Sequence, residues 1–391
     1  MKEKKDIHEI LKESRLAVLD EIVKAIDKDP LNWSKGWNPS MVAPFNPITN
    51  NYYSGGNVLK AAITSKELES EDPRWLTFLQ IKEAGLKLKK GASSIQMEYW
   101  SFTKEELTDE KIKRLDEKEI KRIENKIESR IKKGWRFEDS FGSKIELPID
   151  RHSKYFNLVA KQVENTPLPG YFNVFNGKDI EGLEEFKYPE LEESDLWDIA
   201  DDFIASCPVK VIESAQDRAF ASSDLVTKKS IEIVLPPRET FKNSREFLAT
   251  LLHEMGHETG SEDLKRNKSG SFGSLDYAKE ELVAEFTSIM VQGRLGIELG
   301  ENGKSNHTAY LQNWIKVIKE KTYEDNYKPE NELFRALSEA SKSSNLIMER
   351  YKEKRKELGK EYVDILELNS SKQKEKESPW DIKKDDKELE R

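Results

Sequence analysis

Two histidines one helical turn apart, with a glutamate between them, restrict this chain more than any other feature. Residues 249–260 read ATLLHEMGHETG. On a helix His253 and His257 stand at i and i+4, so both imidazoles project from one face and can grip one ion. Glu254 lies one residue round the helix, able to reach a water on that ion without being a ligand. Metal-assisted hydrolysis needs that division of labour: neutral imidazoles to hold Zn²⁺ and a carboxylate to take a proton. The competing reading is a chance match on an amphipathic helix, which is rare in a chain with 5 histidines among 391 residues. The pattern predicts a helix capped by Ser244, packed through Phe247, Leu248, Leu251, Leu252 and Met255, and stopped at Gly260.

A hydrolytic zinc site wants a third protein ligand. Downstream, YAKEELVAEF (277–286) offers Glu280, Glu281 and Glu285 on a second helix. Glu281 and Glu285 share a face at i and i+4, and Glu280 is rotated off it. The arrangement resembles thermolysin-like zinc proteases, in which a second helix supplies the ligand glutamate and an acid four residues on supports a histidine. That resemblance implies Glu281 as the metal ligand and Glu285 as the outer-shell support. Three glutamates on a solvated helix remain the alternative. Tyr277, one turn before Glu281, is a candidate to stabilise an oxyanion, with packing against the histidine helix as its other reading.

The first hundred residues have a different texture. From Pro30 to Lys66 there is no Asp or Glu, where the chain's overall acid content would place about seven. The stretch carries Trp33, Trp37, Phe45, Tyr52 and Tyr53, and its only charges are Lys35, Lys60 and Lys66. KEAGLKLKKG then adds Lys82, Lys87, Lys89 and Lys90 against one glutamate. Single-stranded DNA is held by aromatic platforms beside positive charge. Trp33, Lys35, Trp37, Tyr52, Tyr53, Lys87, Lys89 and Lys90 are therefore the candidate DNA-binding residues, weighed against a plain aromatic core with ordinary surface lysines. A net charge of −9 argues against a protein that coats duplex DNA over its whole surface.

The organisation expected is α+β. It comprises a DNA-binding module over 1–103, a charged helical connector over 104–150, a metallopeptidase-like domain over 151–345, and a charged helical or disordered tail over 346–391. Residues 8–29 are predicted to be a helix with Leu11, Val18, Leu19, Ile22 and Ile26 on one side. LKLKKGASSIQMEYWSF reads as two strands joined by a turn at Lys90-Gly91. No run approaches the apolar length of a membrane helix, so no membrane partner is expected. Cys207, the single cysteine, sits in an apolar strand-like context as an inert thiol, and a reducing cytoplasm is the default location.

Several segments taken together resemble one known family. TLLHEMGHETG, FGSLDYAKEELVAEF and NHTAYLQNWIKVIKE are similar to the zincin-like domain of the plasmid antirestriction proteins called ArdC. LNWSKGWN, GGNVL and DPRWLTFLQIKEAGLKLKKGASSIQMEYW resemble that family's N-terminal single-stranded-DNA-binding domain. The resemblance spans about residues 8–103 and 155–345. It implies a mobile-element protein that binds single-stranded DNA, carries one Zn²⁺ or another divalent metal, and protects incoming DNA, with host restriction-enzyme subunits as possible partners. Ala219-Phe220-Ala221, Ile231 and the 104–134 segment depart from the family pattern, and none of them is a candidate ligand. Two other classes stay open: a non-catalytic DNA-binding decoy with a structural metal, and a peptidase whose N-terminal part only targets it to DNA.

Overall fold

The computed structural model describes residues 7–28, 43–101, 107–132, 136–139, 143–146, 148–165, 168–224, 227, 229–261, 263–264, 266, 275–297 and 328–367. In chain order its elements begin with α1 (Ile7–Lys28), β1 (Phe45–Asn46), β2 (Asn51–Tyr52), α2 (Gly56–Glu67), β3 (Trp75–Thr77), α3 (Phe78–Glu83), β4 (Lys87–Leu88) and β5 (Ile95–Ser101). There follow α4 (Asp109–Ile112), α5 (Glu117–Lys132), α6 (Phe156–Asn165), β6 (Leu168–Asn176) and β7 (Ile180–Glu181). The last group is α7 (Glu193–Ser206), β8 (Lys210–Glu213), β9 (Phe220–Ser223), β10 (Ser230–Leu235), α8 (Ser244–Thr259), α9 (Leu275–Arg294) and α10 (Pro329–Glu357). The class is α+β, as expected. Among the described residues no helix is long and apolar enough to cross a membrane.

The chain divides into two compact units, one drawn from Glu9–Met97 with Asn173–Arg391, the other from Glu98–Phe172. These units cut across the expected segments. In the first, α1 and α2 have no core to themselves. Val18, Leu19 and Ile22 of α1 and Val58, Leu59 and Ala62 of α2 share one cluster with Leu282, Phe286 and Met290 of α9 and Leu333, Phe334 and Leu337 of α10. The Phe334 ring lies so close to Gly56 that a Cβ there would stand 2.0 Å from it. Arg15 sits 4.9 Å above the same ring, and its Nη1 donates to Asn331 Oδ1 at 2.7 Å. The apolar side read from residues 8–29 is therefore real, but it is buried by helices some 260 residues further on.

A second cluster in this unit surrounds the histidine helix. Phe247, Leu248, Leu251, Leu252 and Met255 of α8 pack with Leu196, Ile199 and Phe203 of α7, Ile233 and Leu235 of β10, and Ile347, Met348 and Tyr351 of α10. β10 pairs parallel with β8 and antiparallel with β9. Residues 346–367 belong to this structure and are no loose tail, a correction to the expected boundary at 346. Apolar side chains at one-turn spacing on α10 bury them, and Arg355 and Lys360 anchor the end through Asp198 and Asp202 of α7. Residues 368–391 lie outside those described.

The other unit corrects the reading of 104–150 as a solvated connector. Two helices stand there, α4 and α5, and the isoleucines of α5 recur at helical spacing. Ile123 and Ile127, with Ile112, Phe137, Ile145 and Ile149, close a core over Phe156, Val159, Ala160 and Val163 of α6. An apolar stripe of single residues three and four apart is enough to seat a highly charged helix.

Two local expectations also shift. The cap of α8 is Asn243, whose side chain accepts from Glu246 N at 3.0 Å, and Ser244 is the first helical residue. The strands flanking Lys90-Gly91 form no hairpin with each other: β4 pairs with β7. Gly91 nevertheless turns the chain, with φ +91, a conformation that favours glycine.

Candidate metal centre

The site is built where α8 and α9 cross. Both helices are buried on most of their circumference, so their approach is set by side-chain size. At Gly256, between the two histidines, a Cβ would lie 3.0 Å from Ala284 Cα and 3.3 Å from Thr287 Cβ. Only glycine leaves α9 that close. Ser288 Oγ donates to Ala249 O at 2.8 Å and fixes the two helices in register.

That crossing brings the histidines to the glutamates. Glu281 Oε2 is 3.4 Å from His253 Nε2, and its Oε1 is 3.6 Å from His257 Nε2. His253, His257 and Glu281 each offer a ligand atom, all within 4.8 Å of one another. Behind the first imidazole, Glu285 Oε2 lies 3.4 Å from His253 Nδ1. Behind the second, Glu280 Oε1 lies 3.3 Å from His257 Nδ1. His253, Glu254, Glu281 and Glu285 are all buried. Tyr277 is half-buried in the first turn of α9. Of the three glutamates, it is thus Glu281 that faces both Nε2 atoms, as the thermolysin-like arrangement implies. Glu280, set aside by its angular position, reaches His257 because that histidine sits one turn further along α8.

Two imidazoles and one carboxylate converging in a largely buried place form a donor set that suits a divalent ion. Burial opposes charging of His253, but hydrogen bonds to the Glu281 and Glu285 carboxylates and the field of Glu254 outweigh it and push the imidazole up to about 10. Burial likewise opposes charging of His257, and Glu281 and Glu280 lift it to about 9. Glu280 is carried the other way, to about 2: burial is overcome by His257 and Arg266. Both histidines are therefore raised above their unfolded value. Their contribution to stability is whole below about pH 6.5 and is lost as pH rises through about 9 to 10. An ion and these protons compete for the same nitrogens. Metal binding near pH 7.5 should release about two protons, read by calorimetry in buffers of different ionisation enthalpy. With chelator present, the thermal midpoint should fall between pH 8 and 10. Proton release near zero would place the ion elsewhere.

The expected DNA-binding residues fare differently. Trp33, Lys35 and Trp37 lie outside the described residues. Tyr52 and Tyr53 are half-buried, and both hydroxyls are bonded within the protein. The Tyr52 hydroxyl donates to Asp364 Oδ1 at 2.6 Å, its ring lies 4.7 Å under the Arg294 guanidinium, and burial with the nearby Asp364 charge holds its phenol well above the usual range. Tyr53 donates to Trp75 O at 3.0 Å, and burial pushes it up to about 12. Lys87, Lys89 and Lys90 are exposed, with Lys89 Nζ donating to Lys178 O. Sequence reasoning passed over Phe78, 60% exposed at the start of α3, and over Tyr99, Trp100 and Tyr171, which are also exposed. Nothing in the sequence marks Phe78 apart from Trp75, which is fully buried.

Comparison with known proteins finds matches for two parts of the chain. A family model for the N-terminal domain of anti-restriction factor ArdC matches residues 12–136, and one for a zincin-like metallopeptidase matches residues 198–326. Residues 12–136 thus match an ArdC-type N-terminal domain and residues 198–326 a zincin-like domain, in that order. The fold of this chain resembles the crystal structures of the antirestriction ArdC protein from plasmid R388. The metal-free form is 22% identical with TM-score 0.51, over 85% of this chain and 98% of that one. The Mn(II)-bound form is 22% identical with TM-score 0.54, over 86% and 97%. Among curated proteins, a DNA primase TraC from Escherichia coli is 27% identical over 354 residues, 89% of this chain but 20% of the primase. The chain spans about a fifth to a quarter of the length of the TraC proteins it matches. An uncharacterized Sinorhizobium fredii protein, y4eC, is 22% identical over 77% of this chain and 83% of its own length.

Proposed function

We propose that this protein is a cytoplasmic, ArdC-type antirestriction factor of a mobile element, a single-stranded-DNA binder with a zinc-dependent peptidase centre. The observation that carries the peptidase reading is the meeting of His253 Nε2, His257 Nε2 and Glu281 at one point beside buried Glu254. His253, His257 and Glu281 would hold the ion, which supplies Lewis acidity to a bound carbonyl. Glu254 takes a proton from the attacking water and delivers it to the leaving amine. Tyr277, half-buried on the ligand helix, donates a hydrogen bond to the oxygen on which charge develops. A structural metal would need no buried carboxylate in the place of Glu254. Zinc suits this nitrogen-rich set, and the Mn(II) carried by the R388 relative makes manganese the second ion to test.

Purified protein incubated with host restriction-enzyme subunits should cleave one of them. Glu254→Gln should keep its metal and lose cleavage by at least about 100-fold, and Tyr277→Phe should slow it by about 10- to 100-fold. Cleavage undiminished in Glu254→Gln would remove the peptidase assignment.

For DNA, support comes from the exposed aromatic Phe78 next to exposed Leu79, in a segment whose exposed charges include Lys82, Lys87 and Lys90. Unpaired bases present faces for stacking and duplex does not. In fluorescence anisotropy on a labelled oligonucleotide, the full chain should prefer single strands. Phe78→Ala should weaken binding by about 1–3 kcal/mol with the salt slope kept. Lys87→Ala with Lys90→Ala should flatten that slope by about 0.7 per lost phosphate contact. Equal affinity for duplex would overturn the reading.

A further inference from the structure

Arg266 follows the histidine helix and is nearly buried, with a side-chain exposure of 6%. A buried guanidinium is costly unless every donor is met. Its Nε donates to Glu280 Oε2 at 3.0 Å, and its Nη2 donates to Glu280 Oε1 at 2.7 Å and to Gly256 O at 2.7 Å. Its Nη1 donates to Thr259 Oγ1 at 3.1 Å and to Ser343 Oγ at 2.8 Å. A guanidinium has five N–H donors, and here five acceptors meet them. The planar fork therefore cannot turn without breaking several bonds at once. It grips Glu280 with both ends of the carboxylate and is itself tied to the end of α8 and to α10.

What this rigid pair touches is His257. Glu280 Oε1, the oxygen that accepts from Arg266 Nη2, is also 3.3 Å from His257 Nδ1. A carboxylate at Nδ1 keeps hydrogen there and fixes the ring, so Nε2 is the nitrogen left to an ion once its own proton is displaced. Nε2 is the atom that faces Glu281. We infer that Glu280 and Arg266 form a positioning pair that sets the tautomer and ring orientation of His257, as Glu285 does for His253. The second histidine, less buried than the first, is thereby held as firmly for the ion. The three glutamates of α9 then have three tasks: Glu281 toward the ion, Glu285 behind one imidazole, Glu280 behind the other. The inference rests on the metal-centre reading, yet part of its test needs no metal.

In ¹⁵N-edited spectra of the metal-free protein, Glu280→Ala should move the His257 Nδ1 and Nε2 resonances and leave those of His253 in place. Glu285→Ala should do the reverse. Metal affinity, by competition with a chromophoric chelator for Zn²⁺, should weaken about 10- to 100-fold in Glu280→Ala. Glu280→Gln, whose amide oxygen still accepts from Nδ1, should recover part of that loss and also keep the fold if alanine does not. Arg266→Met, which frees the carboxylate to wander, should weaken affinity less than Glu280→Ala. Unchanged His257 resonances in folded Glu280→Ala protein, or Glu280→Gln protein as weak in Zn²⁺ affinity as a folded Glu280→Ala, would overturn the pairing. Affinity loss that merely tracks thermal midpoint, with both histidines perturbed alike, would reduce Glu280 to a packing residue and overturn it too. Wild-type protein that binds no Zn²⁺ would instead defeat the metal-centre reading, and the resonance test would still decide the pairing.

Discussion

His253→Ala protein is expected to carry no stoichiometric divalent metal when loaded wild type carries one ion per chain. His253 contributes one of three converging donors, and its Nε2 lies 3.4 Å from Glu281. Removing it leaves one imidazole and one carboxylate, too few to outcompete water for an ion. The loss should exceed the roughly 10- to 100-fold that an outer-shell change brings, so Glu285→Ala should retain weakened binding where His253→Ala retains none. Elemental analysis after gel filtration measures both. Full occupancy in His253→Ala protein would mean that the ion sits elsewhere. Equal and complete loss in Glu285→Ala would promote Glu285 to a ligand and demote Glu281.

The second large effect concerns the boundary expected at residue 103. A fragment of residues 1–103 is expected to stay unfolded on its own, because the apolar faces of α1 and α2 find their cover on α9 and α10. Leu59 is fully buried in that shared cluster. Leu59→Ala in the intact chain should cost about 2–5 kcal/mol. The cost should appear in the unfolding of α9 and α10 as well as in the N-terminal helices, because these four share one core. Hydrogen exchange resolved by segment is the measurement. A folded 1–103 fragment, or a Leu59→Ala change that leaves α9 and α10 untouched, would restore two independent modules. Gly55 N bonded to Ser341 Oγ at 2.9 Å and Tyr52 bonded to Asp364 argue for the shared structure.

This outcome separates what local pattern can specify from what it cannot. The sequence alone determined the histidine helix, the glutamate helix and the shared face of Glu281 and Glu285, because a helix fixes angles and spacings within itself; which glutamate meets the histidines came only from the resemblance to thermolysin-like proteases. It determined α1 as well, since an amphipathic stripe is legible without knowing its partner. It left Glu280 on the wrong side, because angular position on α9 says nothing about which histidine of α8 stands opposite, and that depends on the crossing that Gly256 allows. It also could not show what the tyrosine hydroxyls bind. Tyr52 and Tyr53 look available in an acid-free stretch, but their hydroxyls are claimed by Asp364 and by Trp75 O, the first of them 312 positions away. Nor could it place the edges of the units, because the isoleucines of α5 and the leucines of α2 read alike as stripes and differ only in what covers them. Helical spacing is written in neighbouring residues. The partner of a stripe, the depth of a phenol and the donors around Arg266 are decided only when distant segments meet.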